Sequence, residues 1–124
     1  MKKIISSDKA PKAIGPYSPA LLQGQMLFIS GQMGIDASNG ALEEDIARQT
    51  KRVLDNLGEL LRAAEMDFSH CVKTTVFLAD MGDFALVNEI YQSYFCAPYP
   101  ARSCIQVAKL PRGALIEIEA IALK

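Results

Sequence analysis

Apolar and polar positions along this chain repeat with two different periods, and each change of period marks an element. Lys2 to Ile5 reads as a short first strand. Ala13-Ile14-Gly15-Pro16-Tyr17-Ser18-Pro19 reads as a loop, because its prolines and glycine withhold ladder donors and regular dihedrals. Two apolar runs, Ala20 to Gln23 and Met26 to Ser30, flank Gly24-Gln25 at the spacing of a tight hairpin, and Ser38-Asn39-Gly40 is a turn signal. From Leu42 to Ala64 the residues Ile46, Val53, Leu54, Leu57, Leu60, Leu61 and Ala64 recur along one helix face. Glu43, Glu44 and Asp45 fall in the first turn of that predicted helix, where its dipole favours acids.

Cys71 to Ala79 is β-branched and aromatic, with Val72, Thr74, Val76 and Leu78 on one face and Cys71, Lys73, Thr75 and Phe77 on the other. Asp83 is placed to cap a second helix carrying Phe84, Val87, Ile90, Tyr91, Tyr94 and Phe95, which Pro98 and Pro100 stop. Ala101 to Val107 and Leu115 to Leu123 are the last two strands. The order of strands, helix, strand, helix and two strands predicts an α+β two-layer sandwich with both helices on one face of a sheet.

Alternation along the last two strands suggests which residues meet those helices. Ser103, Ile105 and Val107 with Ile116, Ile118, Ala120 and Ala122 form a small apolar face suited to lie beneath them. The opposite face then collects Arg102, Cys104 and Gln106 with Glu117, Glu119 and Ile121. Two helices cover only one side of a sheet, and Ile121 and Leu123 also need cover, so a second copy of the chain is inferred over the other side. An ordinary half-polar exposed face is the alternative. Arg102 and Glu119 admit two readings: a cross-strand ion pair, or a planar fork for a carboxylate beside a general base.

Composition narrows the classes. With 124 residues, 50% apolar and 22% charged, residues 1–124 read as one soluble globular domain able to bury a core without staples. Thirteen Lys and Arg against fourteen Asp and Glu give a net charge of −1, with no cationic patch beyond Lys2, Lys3, Lys9 and Lys12, so no nucleic-acid partner is expected. The uncharged stretch Ala13 to Ile35 is broken by glycines and prolines, which argues against a membrane span. The apolar start after Lys2-Lys3 ends at Ser6-Ser7-Asp8, so no secretory signal is expected. Cys71, Cys96 and Cys104 are odd in number and unspaced for pairing, which fits reduced thiols in a cytoplasmic setting. His70 has only Cys71 beside it, pointing to the opposite face of a strand, so no metal site is expected.

Several blocks resemble the Rid (YjgF) family of reactive imine/enamine deaminases: Ile14-Gly15-Pro16-Tyr17-Ser18-Pro19-Ala20, Phe28-Ile29-Ser30-Gly31-Gln32, Lys73 to Leu78, Ala79-Asp80-Met81, Phe84 with Asn88-Glu89-Ile90-Tyr91, Tyr99 to Val107, and Glu117 to Ala122. The resemblance runs from end to end. It implies a chorismate-mutase-like α+β fold, a homotrimer whose sheets form a central barrel, and three sites in the clefts between subunits. It also implies hydrolysis of 2-imino acids derived from 2-aminoacrylate or 2-aminocrotonate to 2-keto acids and ammonium, without metal or organic cofactor.

On matching positions, Arg102 would hold the substrate carboxylate and Glu119 would position and deprotonate the attacking water. Gly31 and the main chain at Cys104 would contact the imine and carboxylate ends, Tyr17 would close the pocket, and Ser30 and Phe84 would line it. Against these stand plainer roles: Tyr17 packing its own loop, Phe84 in the helix core, Cys104 as a wall residue, and Glu117 as the structural partner of a cation. Two further functions compete, a non-catalytic protein that binds a 2-keto acid and an endoribonuclease or translation inhibitor, the latter disfavoured by the charge balance. The chain departs from the resemblance at Glu65-Met66-Asp67, where relatives commonly place a glycine to end the long helix, and at His70-Cys71.

Overall fold

In the computed structural model, which describes residues 1–124, Lys2–Ile5 (β1) pairs antiparallel with Ala20–Gln23 (β2). The chain then turns through Gly24, at φ +60°, into Met26–Met33 (β3), and the left-handed dihedral explains the glycine there. Ile35–Asp36 (β4) and Ala41–Leu42 (β5) make a small hairpin around the Ser38-Asn39-Gly40 turn, two strands that their brevity kept out of the alternation. Cys71–Leu78 (β6), Ala101–Gln106 (β7) and Ile116–Leu123 (β8) complete a six-stranded sheet in the order β1-β2-β3-β8-β6-β7. Only β6 and β7 run parallel, so the sheet is mixed.

The long helix, Ile46–Ala63 (α1), starts four residues after the predicted point. Asp45 is its N-cap, with a carboxylate oxygen accepting from the Arg48 N–H at 2.8 Å, so Glu43 and Glu44 lie outside the first turn. At its other end Glu65 takes φ +59°, and the Glu65 and Met66 N–H groups donate to Arg62 and Leu61 carbonyls at 2.9 Å. The helix thus ends through a left-handed residue without the usual glycine. Phe84–Tyr91 (α2) follows a short 3-10 turn, Met81–Asp83, which Asp80 caps through the Gly82 N–H at 2.8 Å; Asp83 makes no side-chain cap. Tyr94 and Phe95 lie beyond the helix proper, where Phe95 stacks on Tyr91 with ring centroids 4.4 Å apart.

Both helices lie on one face. Val53, Leu54, Leu57, Leu60 and Leu61 of α1 and Val87 and Tyr91 of α2 are buried with Leu27, Ile29, Val76, Leu78, Ile116, Ile118, Ala120 and Ala122 of the sheet. The other face is open, and Met26, Phe28, Ile105 and Leu123 are each at least 40% exposed on the strands. Ile105 was expected beneath the helices with Ser103 and Val107, and the structure reverses that phase. In the parallel register Thr74 lies opposite Arg102 and Val76 opposite Cys104. Thr74 and Val76 are fully buried, so Arg102 and Cys104 belong to the helix side and Ser103 and Ile105 to the open side. Alternation defines two sets of residues, and pairing with β6 chooses which set turns inward. One further shift occurs in β6, where an irregularity between Cys71 and Lys73 buries Cys71 and leaves Val72 46% exposed.

Candidate active site

An open cleft of about 950 Å³ lies where the Pro-rich loop, β3 and β8 meet. Tyr17, Ser30, Gly31, Glu117 and Glu119 line it, with Lys12 and Arg112 also on its wall. Local chemistry places each. The pairing of β3 with β8 jumps between Ile29 and Gln32, so Ser30 and Gly31 form a bulge opposite Glu119. The Ser30 N–H donates to the Pro19 carbonyl at 3.0 Å and its hydroxyl donates to the Ser18 carbonyl at 2.6 Å, fastening the loop to the bulge. Within the loop the Tyr17 hydroxyl oxygen accepts from the Ile14 N–H at 3.3 Å, and the ring stays half exposed on the cleft side. Packing of its own loop and lining of the cleft are therefore both true of Tyr17.

Glu117 and Glu119 share this side of β8, as residues i and i+2 must. Neither forms an ion pair with a cation of its own chain. Glu117 is half-buried, and burial, followed by the charge of Glu119, pushes its pKa above the ordinary carboxylate value.

Arg102 stands elsewhere. Thr75 pairs with Glu119 on one side and Ser103 on the other, while Thr74 pairs with Ala120 and Arg102, so Arg102 and Glu119 point to opposite faces of the sheet with β6 between their strands. The expected common face, and with it the cross-strand ion pair, is corrected by this register. The guanidinium carbon instead lies 4.8 Å from the Tyr91 ring centroid and 5.6 Å from that of Phe84, stacked against α2. Tyr91 is held in turn by a 2.7 Å hydrogen bond with the Thr74 hydroxyl. Arg102 forms no ion pair within the chain. Cys104 is half-buried beside it, and burial raises its pKa while Arg102 opposes the rise; Cys71, more deeply buried, is pushed up to about 11.

One chain therefore carries the candidate residues in two separate groups. Tyr17, Ser30, Gly31 and Glu119 converge on the cleft, and Arg102, Phe84 and Cys104 gather at the β7 edge. The sequence reading left Tyr91 in the helix core and did not place Glu117 against Gly31. For Tyr91, the available signal was its spacing from Phe84, two turns back on the same helix face.

This is the fold of a class of small α+β proteins, and the comparisons with known proteins agree on which. Residues 7–124 match the family described as Endoribonuclease L-PSP, and the chain belongs to that family, the Rid or YjgF family. It is 54% identical to a mouse protein named 2-iminobutanoate/2-iminopropanoate deaminase, over 100% of this chain and 93% of the relative. Among solved structures, a putative endoribonuclease from Thermotoga maritima superposes with a TM-score of 0.96 at 50% identity, covering 100% of this chain and 98% of the other. E. coli TdcF with bound serine gives a TM-score of 0.95 at 42% identity, covering 98% of each chain.

Proposed function

We propose that this protein hydrolyses reactive 2-imino acids, formed from 2-aminoacrylate or 2-aminocrotonate, to 2-keto acids and ammonium, at sites completed between copies of the chain in a homotrimer. The observation that carries the reading is the division of the site. An arginine with no acidic partner in its own chain lies over the Tyr91 ring at a sheet edge, while a cleft carrying two glutamates opens on the other face. Arg102 of one copy, brought to the cleft of the next, would grip the substrate carboxylate through two charge-assisted hydrogen bonds. Glu119 would then take the proton of the attacking water, with Gly31, Ser30 and Tyr17 around the imine and Cys104 and Phe84 around the anchor. The open sheet face bearing Phe28, Ile105 and Leu123 is where copies would pack into the central barrel.

The relatives support the same chemistry: deaminases of 2-iminobutanoate and 2-iminopropanoate by name, and serine, an α-amino acid carrying the same carboxylate, bound in the E. coli structure. Imines hydrolyse readily in water, so positioning and one general base, worth about a hundred- to ten-thousandfold, suffice. The test is release of 2-ketobutyrate from enzymatically generated 2-iminobutyrate. Wild type accelerates it, and Arg102→Ala, still assembled, loses about a hundredfold or more in kcat/KM. Ligand-induced stabilisation by 2-ketobutyrate without any acceleration would replace the enzyme reading with that of a keto-acid-binding protein.

A further inference from the structure

Arg102 is half-buried at the β7 edge and forms no ion pair within the chain. A long side chain so placed ordinarily samples several rotamers, and gripping a carboxylate would cost it that freedom. Here a neighbour limits the choice. The guanidinium carbon lies 4.8 Å from the centroid of the Tyr91 ring, whose electron-rich face attracts the cation. That ring is itself fixed. Tyr91 is 5% exposed, its hydroxyl lies 2.7 Å from the hydroxyl oxygen of the fully buried Thr74, and the Phe95 ring stacks on it with centroids 4.4 Å apart. Thr74 is also the β6 residue opposite Arg102 in the parallel register, so strand pairing, hydrogen bond and ring contact close a circuit through β7, β6 and α2.

An acidic partner would also fix the arginine, but it would compete for the N–H fork that a substrate carboxylate needs. An aromatic ring attracts the cation without bringing a carboxylate of its own. Burial raises the Tyr91 pKa above the ordinary phenol value, so the hydroxyl keeps its proton at neutral pH and the ring stays uncharged.

We propose that Tyr91 is a positioning residue for the deamination: it pre-orients Arg102 to receive the substrate carboxylate, and Thr74 holds the ring in the attitude that does so. This rests on the deaminase reading above and on Arg102 as its anchor. Tyr91 acts through Arg102 and touches no reacting atom. The carboxylate takes no part in breaking the C=N bond and is held alike in substrate and transition state. Loss of the ring therefore appears in KM and leaves kcat near wild type.

The experiment compares KM and kcat for 2-ketobutyrate release by wild type, Tyr91→Met, Tyr91→Phe and Thr74→Val, with melting temperature and oligomeric state measured alongside. Methionine is flexible enough to fill the space of the ring without supplying its π face. Tyr91→Met raises KM about three- to thirtyfold, the range of a cation–π contact, with kcat within about twofold of wild type. Tyr91→Phe, which keeps the ring, recovers most of that loss. Thr74→Val removes the hydroxyl that orients the ring and raises KM by a smaller factor; it decides the matter if Tyr91→Met does not assemble. In the Arg102→Ala background Tyr91→Met costs no more than about twofold further in kcat/KM, because the group it positions is gone. An assembled Tyr91→Met or Thr74→Val with wild-type KM, a loss confined to kcat, or a full additional loss in the Arg102→Ala background overturns the proposal. Failure of wild type to accelerate the reaction overturns instead the deaminase reading, and wild-type kcat/KM in Arg102→Ala overturns the anchor.

Discussion

Glu117 holds its carboxyl group half-buried with a like charge near, and this makes a stability prediction. Its folded pKa lies above the unfolded one, so over that interval the folded chain binds more protons than the unfolded chain. Stability is therefore fully present below the unfolded pKa and falls as pH rises through the folded pKa. Glu117→Gln melts higher than wild type at neutral pH, and the gap closes as pH drops below the ordinary glutamate range; scanning melts across pH read this directly. A lower melting temperature for Glu117→Gln at neutral pH would show that the carboxylate is instead stabilised in place. At this scale residue type alone left Arg102 and Glu119 open between an ion pair and a site, and only the resemblance proposed roles for them. It was silent where the meaning lies in a neighbour: nothing about Gly31 in the chain says that a glutamate far along it fills the missing side chain's space.

Among the elements, α1 has the most local origin. Its apolar residues at helical spacing, the Asp45 cap and the leucines that bury against β3 and β8 all lie within one stretch, which is why periodicity located it. Its C-terminal turn is less favourable, because Glu65 adopts a left-handed dihedral that places Cβ against the backbone. Glu65→Gly relieves that strain and is expected to stabilise the protein by about 1 kcal/mol. The gain reads as a higher urea midpoint at unchanged slope, and no gain would mean that the 3.9 Å contact of Glu65 with Lys124 offsets the strain. The edge strand β7 is the opposite case. Its alternation was plain, but Ile105 and Val107 made the wrong set look like the buried one. The actual orientation follows from the crossover through α2 that lays β7 parallel to β6. Apolar residues on the exposed set were the misleading signal, and they gain a reason once that face is read as one to be covered.

For the whole molecule, the separation of Arg102 from Glu119 predicts behaviour that no monomeric enzyme shows. If the anchor of one copy serves the base of the next, Arg102→Ala and Glu119→Gln are each nearly inactive, yet trimers assembled from an equal mixture contain intact sites. Random assembly leaves about a quarter of the sites with both wild-type residues, so co-refolded mixtures recover about a quarter of wild-type activity. Recovery no greater than the sum of the two separate variants would place both residues in one chain's site and sink the intersubunit arrangement. No helix is long and apolar enough to cross a membrane.

The sequence by itself determined what depends on neighbours along the chain: α1, the Gly24 hairpin, the Pro-rich loop at Tyr17 and the main strands. Those features arise from dihedral preference and amphipathic period, which act over a few residues. Only the tertiary structure decided the sheet order, the side on which β7 presents Arg102, the stacking of that arginine on Tyr91, and the seating of Glu117 against Gly31. Each of these joins segments distant in sequence through strand pairing. A single residue's shift in pairing moves a side chain to the other face of the sheet, and no local pattern records which register was taken.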